Sequence, residues 1–260
     1  MRRNNRYSCS LLALLLFWGA QVTSASAGLM IRITADPGGA SENVMTFTDG
    51  DGLDLDPTAG NIFIGNFSVF DGAGGTGRQT FDVNSLSVSS VSTLAPVDFD
   101  VLLDLLSLEA ANLRLEVTQT DLDPTPFING GMYLADIGGN AGIFMPGMTM
   151  SYVSGFDVNN QAYALTTSIP QYNFDGTTTT FNYSGSVTAA PLVSSFSMTA
   201  RYDFTATGGF QDIGFNSFNE MGVPVPEPGT LTAAFACTGL IIWRSRRRRI
   251  SAPYSTAASP

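Results

Sequence analysis

The chain has 260 residues, with no histidine, no lysine and two cysteines, Cys9 and Cys237. This composition excludes a serine–histidine–aspartate relay, a lysine Schiff base and imidazole-bound zinc, and residues 28–223 also lack a thiol nucleophile. Over those residues four arginines stand against 17 aspartates and four glutamates, a formal charge of −17 that repels the phosphate backbone of nucleic acids.

The first 27 residues have the pattern of a secretory signal peptide. Arg2, Arg3 and Arg6 form a basic start, residues 11–18 form a short apolar run, and small residues lead up to Ala27. The apolar run is well below the ~20 residues that a membrane-spanning helix needs, so a lone transmembrane anchor is the weaker alternative. We therefore expect export of the chain, with cleavage after Ala27.

Residues 28–222 have the pattern of an all-β domain. Short apolar runs alternate with polar residues and are separated by turn residues. The longest run, residues 196–206, alternates throughout and directs Ser197 and Thr199 toward water. We expect at least eight strands in an antiparallel β-sandwich or jelly-roll-like domain, flanked by the signal peptide and a C-terminal apolar helix.

Two stretches of this domain are less regular. Residues 97–106 alternate as a strand would, yet their leucines also fit helical spacing, so a strand or a short helix packed on the sheet is expected. In residues 61–70 the apolar positions change face at Gly65, which predicts a β-bulge at that glycine.

The densest acidic cluster, residues 49–57, alternates aspartate with glycine and leucine. Such a loop can fold its carboxylates around a hard cation, so Asp49, Asp51, Asp54 and Asp56 are candidate calcium ligands. The spacing does not match an EF-hand, because leucines occupy the fifth and seventh positions of the loop. A plain turn-rich loop without an ion is the alternative, since aspartate, glycine and proline are ordinary turn residues.

Carboxylate chemistry is the catalytic route that this composition leaves, as in a glycosidase with a paired acid and base. Sequence alone does not place two acidic residues across a cleft, and most aromatic residues of the domain fall at inward strand positions, where they pack in a core. We therefore predict no catalytic residues and no enzymatic activity, with a carboxylate-based glycosidase as the alternative.

The C-terminal region, residues 223–249, combines three features in a fixed order. Pro226, Glu227 and Pro228 come first, an apolar segment at residues 230–243 follows, and a basic cluster comes last. The basic cluster consists of Arg244, Arg246, Arg247, Arg248 and Arg249. A basic flank holds its side of a membrane segment in the cytoplasm, which would make residues 250–260 a short cytoplasmic tail.

This combination resembles the PEP-CTERM sorting signal of Gram-negative bacteria, whose proteins also carry a signal peptide. The resemblance implies that an exosortase-type membrane protease recognises Pro226, Glu227 and Pro228. It also implies an inner-membrane-tethered intermediate held by residues 230–243, and delivery to the cell surface or the extracellular matrix.

Together these features predict an exported, non-catalytic surface or extracellular-matrix protein. Exopolysaccharide is a candidate partner, nucleic acid is not a partner, and no cofactor is expected other than calcium. The alternative is a secreted carbohydrate-active protein, either a binding module or a carboxylate-based hydrolase.

Overall fold

The computed structural model describes residues 28–91, 95–142 and 145–223. Within these residues there are fourteen strands and a short 3-10 helix, Thr125–Phe127. The strands in chain order are β1 (Leu29–Ala35), β2 (Asn43–Thr48), β3 (Asn61–Ile64), β4 (Phe67–Phe70), β5 (Gln79–Val91), β6 (Val97–Ser107), β7 (Ala111–Leu122), β8 (Gly131–Ala141), β9 (Thr149–Asp157), β10 (Thr167–Ser168), β11 (Tyr172–Phe174), β12 (Thr180–Ala189), β13 (Phe196–Ala206) and β14 (Asp212–Gly222).

The strands form two antiparallel sheets that pack face to face. The first sheet has the order β10-β9-β13-β7-β1-β2, with β11 also paired to β9, and the second has the order β12-β8-β14-β6-β5-β3, with β4 also paired to β5. Side chains of the two sheets meet in one core, where the ring centroids of Tyr202 on β13 and Phe215 on β14 are 4.7 Å apart. The predicted all-β class and antiparallel two-sheet arrangement are confirmed.

The alternation in β13 predicts its inward face correctly but not the exposure of its outward face. Tyr202 and the other inward residues are buried in the core, as expected. Ser197 and Thr199 are also fully buried, so the expectation that they face water is wrong. The reason is that the segment after β9 covers this part of the strand: the Ser197 hydroxyl donates to the backbone carbonyl of Gln161 at 2.8 Å.

Residues 97–107 form strand β6 and not a helix. β6 lies between β5 and β14 and pairs with both, so its backbone groups are used on each side. Every second side chain from Val97 to Leu105 is buried, whereas Leu102, one of the residues that fit helical spacing, is 52% exposed. Backbone pairing on both edges therefore makes this segment a strand and not the alternative helix.

The β-bulge predicted at Gly65 is a break between two strands. Gly65 separates β3 from β4, and the two strands share one register against β5 from Asn61 to Val69, with a shift at Phe70. The irregular pairing closest to Gly65 lies in the neighbouring strand, where the register of β5 against β6 shifts between Val83 and Ser85. The apolar positions around Gly65 change face because the strand beside them changes face as well.

A hydrogen-bonded polar cluster lies inside the core. The side-chain oxygen of the fully buried Asn219 on β14 lies 2.9 Å from the Tyr152 hydroxyl, 2.6 Å from the Ser154 hydroxyl and 3.2 Å from the Tyr133 hydroxyl. Burial raises the pKa of Tyr133 and Tyr152 above the usual tyrosine value, so both hydroxyls remain protonated and can donate. Because Tyr152 and Ser154 belong to the first sheet and Asn219 to the second, the cluster links the sheets directly.

Candidate functional site

The outer face of the second sheet, which is turned away from the first sheet, arranges its side chains in rows across the strands. One row, from β12 to β5, contains Ser184, Asp136, Phe218, Asp100 and Ser89. The adjacent row contains Asn182, Gly138, Asn216, Leu102 and Ser87. These rows bring residues that are far apart in the sequence onto one accessible surface.

A polar depression lies where Gly138 interrupts the second of these rows. Gly138 has no side chain, and its neighbours on the flanking strands are Asn182 and Asn216. With strands spaced at ~4.8 Å, the two amide side chains stand about 10 Å apart with a gap between them. The depression has a volume of ≈ 510 Å³. Its lining includes Asp136, Gly138, Asn182, Ser184, Asn216 and Phe218.

The second sheet's outer face also carries carboxylates close to one another. Asp98 lies directly opposite Glu220 on the neighbouring strand, and Asp100 is two residues further along. Burial raises the pKa of Asp98, and the charges of Asp100 and Glu220 raise it further. Burial also raises the pKa of Asp100. Like charges placed opposite each other weaken a sheet, so this arrangement lowers the stability of the domain.

All four arginines of residues 28–223 are ion-paired elsewhere. Their partners are Glu116 for Arg32 and Arg201, Asp203 for Arg114, and both Asp71 and Glu109 for Arg78. None of these arginines belongs to a strand of the second sheet. The carboxylates around the depression are therefore unopposed by basic groups in the described part of the chain.

The depression offers groups that suit a hydroxyl-rich molecule. The amides of Asn182 and Asn216 can both donate and accept hydrogen bonds, and the carboxylate of Asp136 can accept them. The half-buried ring of Phe218 can pack against an apolar C–H surface. Strands hold these groups in fixed positions, which reduces the entropy cost of binding.

The predicted calcium loop uses its carboxylates to bind its own backbone. Asp51 accepts from the amides of Thr48 and Leu53, both at 2.8 Å, and these hydrogen bonds lower the pKa of Asp51. Asp54 accepts from the amide of Phe63 at 3.0 Å, which ties the loop to β3. Both aspartates therefore act as caps for the turns that carry them.

Asp49 and Asp56 are used in the same way. Asp49 accepts from the amide of Gly60 at 2.6 Å, and Asp56 accepts from the amide of Thr58 at 2.8 Å. No group of three or more acidic, histidine or cysteine side chains that could hold a metal ion occurs among residues 28–91, 95–142 and 145–223. Calcium binding by the four predicted ligands stays a prediction.

The same loop borders a second, apolar opening beside edge strand β2. This cleft has a volume of ≈ 600 Å³ and is lined by residues that include Phe47, Leu53, Leu55 and Phe67. Leu53 is 61% exposed and Leu55 is 64% exposed. The cleft provides few hydrogen-bonding groups, so the polar depression is the better candidate site for a ligand with hydroxyl groups.

The predicted sorting motif, Pro226, Glu227 and Pro228, lies outside the described residues. The apolar segment at residues 230–243, the arginine cluster and the predicted signal peptide lie outside them as well. In the described part of the chain no helix is long and apolar enough to cross a membrane.

The residues of the depression were not predictable from the sequence alone. Asn182, Gly138 and Asn216 lie on strands that are not consecutive in the chain, and only the order β12-β8-β14 brings them together. The available signal was the outward position of both asparagines in alternating runs, which predicts exposure but not proximity.

Comparison with known proteins gives distant structural similarities only. No protein-family model matches, and no curated protein matches. An enzymatically active domain of a tailspike protein from bacteriophage CBA120 is 13% identical, with a TM-score of 0.31, over 54% of this chain and 19% of its own. The K1 cleaved adhesin domain of Lys-gingipain from Porphyromonas gingivalis W83 is 13% identical, with a TM-score of 0.28, over 68% of this chain and 88% of its own.

A third solved structure belongs to the carbohydrate-binding modules of the β-sandwich superfamily. It is 10% identical, with a TM-score of 0.25, over 72% of this chain and 71% of its own. The chain thus spans 19% of the length of the tailspike structure. At these TM-scores none of the three similarities carries an argument about what this chain binds.

Proposed function

We propose that this chain is an exported, non-catalytic surface or extracellular-matrix protein that binds a polysaccharide through the polar depression of its second sheet. The observation that carries the proposal is the gap at Gly138 between the amides of Asn182 and Asn216 on an open sheet face. A sugar ring presents hydroxyl groups at its edge and C–H groups on its face, which match the amides and the Phe218 ring.

The charge of the outer face indicates the class of polysaccharide. Asp98, Asp100, Asp104, Asp136 and Glu220 all belong to strands of the second sheet, and the arginines of the domain are paired elsewhere. Such a face repels polymers of uronic acids and attracts polymers that carry amino groups. We therefore expect preference for amino-sugar polymers first, neutral polymers second and acidic polymers last.

The carboxylate-based hydrolase remains the second candidate because Asp136 and Asp100 flank Phe218 on its two neighbouring strands. Two strand spacings place these carboxylates about 10 Å apart. This is slightly beyond the ~6.5–9.5 Å between the acid and base of an inverting glycosidase. Binding without cleavage is the better proposal, because the pair lies on an open face. Release of reducing sugar that stops in Asp100→Asn would support the hydrolase.

Replacing both Asn182 and Asn216 by alanine is expected to weaken polysaccharide binding by about five- to 150-fold. Two amide hydrogen-bonding groups are lost, each worth about 0.5–1.5 kcal/mol. Affinity electrophoresis of the full chain through gels containing chitosan, dextran or alginate measures the effect. The matched control is Asn112→Ala with Asn173→Ala, two exposed asparagines of the first sheet, which should bind as the parent does. Equal binding by the two double variants would contradict the proposal.

Replacing Pro226, Glu227 and Pro228 together by alanine is expected to leave the chain uncleaved in the membrane. The prolines hold the motif extended, because each fixes its own φ and disfavours helix in the residue before it. Cell fractionation and mass spectrometry of the mature C-terminus measure processing. A variant lacking residues 224–260 should be exported and soluble but not retained at the surface. Normal processing of the triple variant would show that the motif is not the sorting signal.

A further inference from the structure

Strand β12 is a long edge of the second sheet that pairs on one side only. All ten of its residues, Thr180–Ala189, lie opposite β8, and no other strand of the described residues pairs with it. The strand contains no proline and no charged residue. Natural proteins usually protect such an edge with charge, proline, a bulge or short length, so an unprotected edge of this length is available for pairing.

The other sheet ends are protected or short. β10 has two residues, β11 has three and β4 has four. The acidic loop at residues 49–57 covers the four-residue β3, because the Leu55 amide donates to the Phe63 carbonyl at 2.9 Å. The six-residue β2 leads directly into that acidic loop. β12 is therefore the edge of the described domain best suited to strand addition.

The surroundings of β12 are also free of charge. No charged residue lies between Asp175 and Arg201. Elsewhere, a domain with a formal charge of −17 repels a second copy of itself. A copy can approach through this strip at a lower electrostatic cost than through the acidic faces.

We propose that β12 pairs antiparallel with β12 of a second copy, about a two-fold axis that passes through Ser184. The exposed side chains of the strand read nearly the same in both directions: Thr180, Asn182, Ser184, Ser186 and Thr188. Around Ser184 they pair as threonine with threonine, asparagine with serine, and serine with serine. Each pair can form a side-chain hydrogen bond across the strands.

The inward side of β12 is complementary in the same register. Phe181 lies opposite the other copy's Val187, an aromatic residue against a β-branched one. Tyr183 lies opposite the other copy's Gly185, which has no side chain to clash with it; each Tyr183 ring lies against Gly185 of its own copy and stacks on Tyr172 at 4.9 Å. Aromatic–β-branched pairs stabilise neighbouring strands. Tyr183 and Val187 are only partly buried in a single copy and become covered in the pair.

The nearest carboxylates do not prevent this pairing. Asp136 lies on β8 opposite Ser184, so three strand spacings separate the two Asp136 side chains of a pair. This is about 14 Å, which exceeds the Debye length of ~10 Å at 0.1 M salt. Salt also screens the remaining repulsion between the two negatively charged copies, so pairing strengthens as ionic strength rises. It also places two polar depressions side by side, although the strand pairing does not depend on what they bind.

Position-specific disulfide formation in the full chain tests the pairing. With Cys9 and Cys237 replaced by serine, Ser184→Cys should yield a disulfide-linked dimer on a non-reducing gel, because residues opposite each other have Cα atoms ~4.5–5.5 Å apart. Ser186→Cys is the matched control. In this register the two cysteines at position 186 are about 14 Å apart and cannot bond.

A combined Asn182→Cys and Ser186→Cys variant should again form the dimer, because these positions lie opposite each other. Sedimentation in detergent should show the parent as a dimer and Ser184→Asp at least tenfold more dissociated, since it places two carboxylates on the axis. Ser168→Asp, an exposed serine on β10, should sediment as the parent does. A monomeric parent without cross-linking at position 184, or equal cross-linking at positions 184 and 186, would overturn the proposal.

Discussion

Replacing Asn219 by alanine is expected to lower the free energy of unfolding by about 3–5 kcal/mol. The change removes the oxygen that lies within hydrogen-bonding distance of the Tyr133, Tyr152 and Ser154 hydroxyls. Those groups are buried between the sheets, so water cannot replace the lost acceptor without opening the core. Urea denaturation followed by far-ultraviolet circular dichroism measures the change.

Asn216→Ala is the matched control for this experiment. Asn216 lies on the same strand, three residues away, but its side chain is exposed in the polar depression. Its replacement should change the free energy of unfolding by no more than about 0.5 kcal/mol, while weakening polysaccharide binding. Similar stability losses in Asn219→Ala and Asn216→Ala would show that the buried cluster does not hold the sheets together.

Replacing Glu116 by glutamine is expected to lower the free energy of unfolding by about 2–4 kcal/mol. Glu116 is buried between two arginines, with Arg32 at 2.5 Å and Arg201 at 2.9 Å. Glutamine keeps the size of the side chain but leaves both guanidinium groups without their counter-charge. Each arginine is about one third exposed and can partly reach water, which keeps the loss below that of a fully buried charge.

The effect should extend to the segment that covers this part of the first sheet. The Arg32 guanidinium lies 4.0 Å from the centre of the Tyr163 ring. Burial raises the pKa of Tyr163 to about 12, and the charge of Arg32 opposes part of this shift. Hydrogen exchange in residues 158–166 should therefore become faster in Glu116→Gln.

Asp203→Asn gives the comparison for a more exposed ion pair. The Arg114–Asp203 pair has an N–O distance of 2.6 Å, and both side chains are about one third exposed. Its loss should cost no more than about 1 kcal/mol in the same urea experiment. Equal losses in Asp203→Asn and Glu116→Gln would mean that burial of Glu116 adds nothing to the strength of its ion pairs.

The all-β class was predictable because strand periodicity is a local property. Alternation along β13 and β6 identifies their inward residues without knowledge of their neighbours. Alternation does not predict the burial of Ser197 and Thr199, because a segment from elsewhere in the chain covers them. It also does not predict the break at Gly65, because the shift in register belongs to the adjacent strand β5.

The candidate site was much less predictable than the fold. An outward asparagine is an unremarkable surface residue in the sequence, and Asn182 and Asn216 become a pair only through their positions on either side of Gly138. Asn219 raises the opposite difficulty, since a polar residue in an alternating run gives no sign that its partners lie on the other sheet. Strand order, which depends on long-range contacts, supplies the information that local pattern lacks.

The acidic loop shows how one composition can support two interpretations. Aspartates that could surround a cation also form turns by accepting from nearby backbone amides, as Asp51 does from Thr48 and Leu53. Both uses favour the same alternation with glycine, so residue spacing does not separate them.

An NMR titration tests the central claim, that the polar depression of the second sheet binds a polysaccharide. The isotope-labelled full chain is titrated with a β-linked glucosamine tetramer, which belongs to the ligand class favoured by the charge of the face. We expect saturable shifts of the Asn182 and Asn216 side-chain amides and of the Gly138 backbone amide. No shifts at these positions, or shifts confined to the outer face of the first sheet, would contradict the account.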